Sequence, residues 1–267
     1  MKNISTRLLF LLAASLLFSC SKQHGGQVTN TYVIVPGAWQ ASYAWQTVAN
    51  ELIQSGNKVV VVDLPGHGTD TTAPQNVSLD VYRDKVVSAI NGLDGKVVLV
   101  GHSLAGMVIS EVAEAIPSRI DRLIFVAAYL PVTGQSLLDL ASTDTTSLLL
   151  KSIIPSEDML TLGLVRTNIA NIFIQDGTPA EQELVVSKYR LEPAIPFTNK
   201  VVLTVGNFGA VPKYYINTLQ DHAVTPALQG SMLLATPVKQ AYSINSGHSP
   251  FLSKPDSVTA ILLNIGR

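Results

Sequence analysis

Short apolar runs alternate with amphipathic stretches through the first half of the chain. Tyr32-Val33-Ile34-Val35 and the runs at 58–62, 96–100 and 123–128 are nearly unbroken series of Val, Ile, Leu and other apolar residues. Between them Trp45, Val48, Leu52 and Ile53 recur at helical spacing, residues 79–90 read as an amphipathic helix, and another helix is predicted from just after Ser103 to about Ala115. Strands that are continuously apolar, instead of alternating, are buried on both faces. Strand–helix alternation makes them parallel, because each crossover helix packs back onto the sheet. The pattern therefore predicts an α/β class, with a mostly parallel central sheet carrying helices on both faces.

The alternation stops from Pro131 to about Phe197. This stretch reads as several short helices with Leu-rich pieces, interrupted by Pro and Gly. It carries eight acidic residues (Asp139, Asp144, Glu157, Asp158, Asp176, Glu181, Glu183, Glu192) against four basic ones, an excess read as solvated surface. An insertion on such a sheet sits over the carboxyl ends of the strands, where ligands bind. Sheet character returns at 213–217 and near 238–244, and an amphipathic helix over about 254–265 closes the chain.

At 267 residues, with 47% hydrophobic and 14% charged side chains, the chain buries a large core without disulfides or metal. A formal net charge of −1 favours neither nucleic acid nor an anionic surface. The N-terminus adds a separate expectation. Lys2 and Arg7 precede the apolar run 8–18, too short to span a bilayer as a mature helix, and the run ends in Leu17-Phe18-Ser19-Cys20. This predicts a lipoprotein signal peptide over 1–19, lipidation of Cys20, a polar tether over 20–30, and a single α/β domain over 31–267 with its insertion at about 131–197. The protein is then exported, a bacterial cell-envelope lipoprotein on the periplasmic side or outer membrane, touching membrane only through its anchor. Nothing in the sequence selects an oligomeric state, a dimer included.

The chemistry concentrates in Gly101-His102-Ser103-Leu104-Ala105-Gly106, directly after an apolar strand and before a helix. That context defines a nucleophile elbow, a tight turn that lifts the Ser103 hydroxyl above the sheet and needs small neighbours. A serine hydroxyl also needs a base. Of five histidines, His248 lies in the loop between the last strand and the C-terminal helix, and Asp221 follows the penultimate strand, in the chain order serine, acid, histidine. His67 reads as structural or pocket-lining, His102 points away from the nucleophile, and His222 occupies a loop. Backbone N–H groups of Leu104 and Ala38 are the candidate oxyanion donors. No HExxH or Cys/His spacing suggests a metal, and no cofactor is implied.

These motifs together, Val35-Pro36-Gly37-Ala38-Trp39, Asp63-Leu64-Pro65-Gly66-His67-Gly68, Gly101 to Gly106, Tyr214-Tyr215-Ile216 with Asp221-His222-Ala223-Val224-Thr225-Pro226 and Gln229, and Gly247-His248-Ser249-Pro250-Phe251, resemble the methylesterase and hydroxynitrile lyase branch of the α/β hydrolases. The resemblance implies the α/β-hydrolase fold with a helical cap over the pocket, triad roles for Ser103, Asp221 and His248, and oxyanion donors at Ala38 and Leu104. Plant lyases of the branch place Thr where this chain has Gly37, and Lys where it has Ser249. Both departures favour a serine carboxylesterase over a lyase, the intact triad disfavours a non-catalytic small-ligand binder, and the Leu/Ile-rich insertion points to small neutral or apolar esters.

Overall fold

The computed structural model describes residues 29–267; the expected signal peptide, Cys20 and most of the tether lie outside them. In chain order the first half comprises β1 (Thr31–Val35), α1 (Gln46–Gln54), β2 (Lys58–Val61), α2 (Leu79–Asn91), β3 (Val97–His102), α3 (Ala105–Ala115) and β4 (Ile120–Val126). The insertion holds α4 (Leu137–Ala141), β5 (Ile153–Pro155), β6 (Thr161–Leu164), α5 (Ile169–Phe173), α6 (Pro179–Lys188), β7 (Glu192–Pro193) and α7 (Ile195–Thr198). The chain then closes with β8 (Lys213–Thr218), α8 (Pro226–Ala235), β9 (Gln240–Ile244), α9 (Pro250–Ser253) and α10 (Pro255–Ile265).

Six strands form one sheet in the order β2-β1-β3-β4-β8-β9, every neighbouring pair parallel. Two apolar layers cover it. Val33, Val35, Leu99 and Phe125 face one way, against α2 and α3, while Tyr32, Ile34, Val98 and Ile124 face the other, against α1 and α10. Successive side chains of a strand point to opposite faces, so central strands in a two-sided cover must be apolar at every position. β1 and the Val97–Val100 stretch of β3 obey this, β3 being buried throughout, whereas β4 and β8 do so only over Leu123–Val126 and Tyr214–Ile216. The run at 58–62 does not, because β2 is an edge strand and its residues are half-buried or exposed.

Helix starts follow local chemistry. Ser78 caps α2 by accepting the Val81 amide, Thr225 caps α8, and Ser136 and Thr178 form capping boxes with Asp139 and Glu181.

The cap departs from the expected bundle of short helices. It also contains a three-stranded antiparallel sheet, β5-β6-β7. Strands of two to four residues carrying Pro155, Gly163 and Pro193 leave no readable alternation. Nor is its acidic excess all solvated. Glu192 and Asp144 are buried, and Asp144 ties the cap to the base by accepting from the Thr225 amide and hydroxyl at 2.9 and 2.7 Å.

Candidate active site

Consecutive strands β1 and β2 lie on one side of the β1–β3 boundary, and the chain then crosses to the other side. The loops after β1 and β3 therefore diverge at a topological switch point, where open α/β sheets bind ligands. One of these loops is the turn 37–40 and the other is the turn at Ser103.

Ser103 follows β3 directly with φ of 53°, in the left-handed region. For a side chain other than Gly this costs on the order of 1–3 kcal/mol and persists only where surroundings enforce it. They do. The Ser103 amide donates to the Val126 carbonyl at 3.3 Å, and the Ser103 carbonyl accepts the amides of Gly106 and Tyr129 at 3.0 and 3.1 Å. Small neighbours are obligatory: a Cβ on Gly101 would lie 2.8 Å from the Ala105 carbonyl, and one on Gly106 would run into the Tyr129 carbonyl. Ala105, completely buried, shows that one methyl fits where the usual elbow has a second glycine.

His248 and Asp221 come together from the loops after β9 and β8. The His248 Nδ1–H donates to Asp221 Oδ2 at 2.8 Å, with both side chains buried. Asp221 is held in turn: Oδ1 accepts the Ala223 and Val224 amides at 2.8 and 2.9 Å, and Oδ2 accepts the Thr218 hydroxyl at 2.7 Å. A carboxylate so saturated fixes one tautomer of the imidazole, leaving Nε2 as the free, basic nitrogen. That nitrogen is buried and without a hydrogen-bond partner, so the contact to the Ser103 hydroxyl is not formed. Catalytic hydrogen bonds are often long before substrate binds.

His102 connects the two halves. Its Nε2–H donates to the His248 carbonyl at 2.9 Å, and its ring lies 4.5 Å from that of His248. Burial, then the adjacent His248, holds His102 well below the ordinary histidine range, so it is neutral. On the other side Gly37 packs so tightly that a Cβ there would lie 2.7 Å from Ser103 Cβ and 2.8 Å from His102 Nδ1. Gln40 Nε2 donates to Ser249 Oγ at 2.9 Å, joining the turn after β1 to the His248 loop. Among the described residues no acceptor is paired with the amide N–H of Ala38 or Leu104. His67 is buried against Glu192, and His222 Nδ1 meets the Asn171 carbonyl at 2.9 Å.

An apolar cavity of about 360 Å³ is lined mainly by cap residues, with no member of the triad among them. Tyr129, whose amide holds the Ser103 carbonyl, forms one wall; Leu137, Leu149, Ile153, Leu162 and Phe197 of the cap form the others. The sequence reading missed Glu192, Thr218 and Tyr129. Glu192 and Tyr129 act through contacts to Trp39 and Ser103, distant in the chain, which no local motif announces; Thr218 lies three residues before Asp221, and only the fold shows its hydroxyl on that carboxylate.

The profile of the alpha/beta hydrolase family matches residues 32–261. Putative methylesterase 11, chloroplastic, of Arabidopsis thaliana is 31% identical over 90% of this chain and 64% of its own; for putative methylesterase 13, chloroplastic, of the same plant, the figures are 28%, 91% and 57%. The chain thus spans less than two thirds of the length of these relatives. Among solved structures, an extracellular alpha/beta-hydrolase from a Paenibacillus species, described as sharing structural and functional homology with tobacco salicylic acid binding protein 2, superposes with a TM-score of 0.76 at 26% identity, covering 89% of this chain and 99% of that one.

Proposed function

The chain belongs to the alpha/beta hydrolase family, and on that premise we propose that it is a serine carboxylesterase whose triad is Ser103, His248 and Asp221. Ser103 attacks the ester carbonyl, His248 takes the hydroxyl proton and passes it to the leaving alcohol, and water then releases the acid from the acyl-enzyme. The Ala38 and Leu104 amides receive the charge on the tetrahedral intermediate. The observation that carries this reading is the buried Asp221–His248 pair with its free Nε2, set behind a serine on a strained, small-flanked turn.

The apolar cavity favours neutral carboxylic esters of modest size, and the relatives named methylesterases favour a methyl alcohol part. A lyase is disfavoured. The space at Gly37 admits no Thr side chain without displacing Ser103, and Ser249, where lyases of this branch place Lys, is buried and engaged by Gln40. Release of acid from a panel of methyl and p-nitrophenyl esters tests the activity, and Ser103→Ala should reduce it by about 10⁶-fold. Turnover near wild type in that variant would end the assignment.

We also propose that the protein is exported as a lipoprotein anchored through Cys20. Incorporation of an alkyne-tagged fatty acid, abolished by Cys20→Ser, is the expected result.

A further inference from the structure

We infer that Glu192 of the cap is a positioning residue for the oxyanion turn, holding the peptide on which the Ala38 donor depends. The inference rests on the proposed role of Ala38.

Residues 37–40 form a four-residue turn closed by the Gln40 amide donating to the Gly37 carbonyl at 3.3 Å. Trp39 occupies its third position with φ of 59°, a left-handed conformation that normally selects Gly. An indole-bearing residue stays there only because the cap grips it. The Trp39 amide donates to Glu192 Oε2 at 2.8 Å, Nε1 donates to the Leu162 carbonyl at 3.0 Å, and the ring lies between Phe173 and Phe197, 5.9 and 5.6 Å away. The 38–39 peptide cannot turn over without giving up the carboxylate. Its neighbour, the 37–38 peptide, carries the unpaired Ala38 N–H.

Glu192 is itself 1% exposed and takes two further donors, His67 Nε2 at 2.8 Å and the Tyr82 hydroxyl at 3.2 Å. Burial works against a His67 cation, yet the Glu192 carboxylate and the hydrogen bonds to Glu192 and Pro65 outweigh it and hold the ring above its usual range. The nearby Arg190 guanidinium faces away, donating to the Gly68 and Asp70 carbonyls. Glu192 is therefore a buried carboxylate paired with His67 on a two-residue strand of the cap, reaching into the base at one of the two turns whose backbone amides the proposed reaction uses. A neutral acceptor would fill the space. A charge keeps the peptide oriented against strain.

The test compares wild type with Glu192→Gln, which keeps shape and one acceptor oxygen. The expected result is a kcat lower by roughly tenfold to a hundredfold, below the loss from deleting an oxyanion donor outright, with KM within twofold. The Ki of a trifluoromethyl ketone, whose tetrahedral adduct uses the same amides, should rise by the same factor. A variant that melts earlier but keeps its kcat and ketone Ki would reduce Glu192 to a structural role and overturn the inference. If Glu192→Gln does not fold, His67→Gln, which retains an N–H donor and removes the countercharge, should show the same linked loss on a smaller scale; unchanged kcat and Ki there overturn it equally. Turnover surviving in Ser103→Ala would bring down the hydrolase reading instead, so the two failures are distinct.

Discussion

Asp221 and His248, 27 residues apart in the chain, meet at 2.8 Å between Oδ2 and Nδ1, with neither side chain open to solvent. The carboxylate is held by two backbone amides and a threonine hydroxyl before it receives the imidazole, so the ring is oriented by the loop after β8. Asp221→Asn removes the acceptor and inverts the preferred tautomer. Its kcat on p-nitrophenyl butyrate should fall by about 10⁴-fold; a loss under tenfold would separate the pair from catalysis.

Gly37→Ala should impair kcat while leaving the fold intact. The added methyl would press on Ser103 Cβ, His102 Nδ1 and the His102 carbonyl, all within 2.9 Å, and none is the far end of a flexible chain. Far-ultraviolet circular dichroism should be unchanged and turnover reduced by at least tenfold. Gly106→Ala meets backbone instead, and should destabilise by about 2 kcal/mol or more, read from the urea midpoint.

Two of the buried histidines, His67 and His102, make stability depend on pH in opposite directions. His67, facing Glu192 from β7 and Asp63 and Tyr82 from the base, has a raised value in the folded state. Its contribution is complete below the unfolded value of about 6.5 and is lost as pH rises through the folded one. His102, with a lowered value, contributes fully above about 6.5 and loses stability as pH falls below it. Urea midpoints of wild type minus His67→Gln, measured from pH 5 to 9, should therefore decline towards alkaline pH. A difference that grows with pH would reverse the sign assigned to the His67–Glu192 pair.

The cavity predicts acyl selectivity. Leu149→Trp fills space in the cavity that Leu149 lines together with Leu137 and Ile153, and should lower kcat/KM for hexanoate more than for acetate esters. Equal losses would place the acyl group elsewhere.

The base of the fold was legible because its central strands are buried on both sides over most of their length, so that 32–35, 97–100 and 123–126 appear as uninterrupted apolar runs. Ser103 was legible for a related reason: a turn that tight admits only Gly101, Ala105 and Gly106 around it. Edge strand β2 was misread as buried, since four valines do not reveal whether a neighbour covers them. The cap sheet was invisible because strands of two to four residues have no period. Glu192 looked like one more surface acid; its partners at Trp39, His67 and Tyr82 lie 110 to 153 residues away, a relation that only the folded chain creates.

Strand β1 starts beside the end of α10: Asn30 Nδ2 donates to the Gly266 carbonyl at 2.9 Å and the Tyr32 hydroxyl to that of Leu262 at 2.9 Å. Both ends of the domain thus leave at the amino edge of the parallel sheet, opposite the edge that carries Ser103. Whatever is joined at either end, whether a lipidated tether, a fusion partner or a solid support, holds the domain by its back, with the sheet edge that carries Ser103 on the far side.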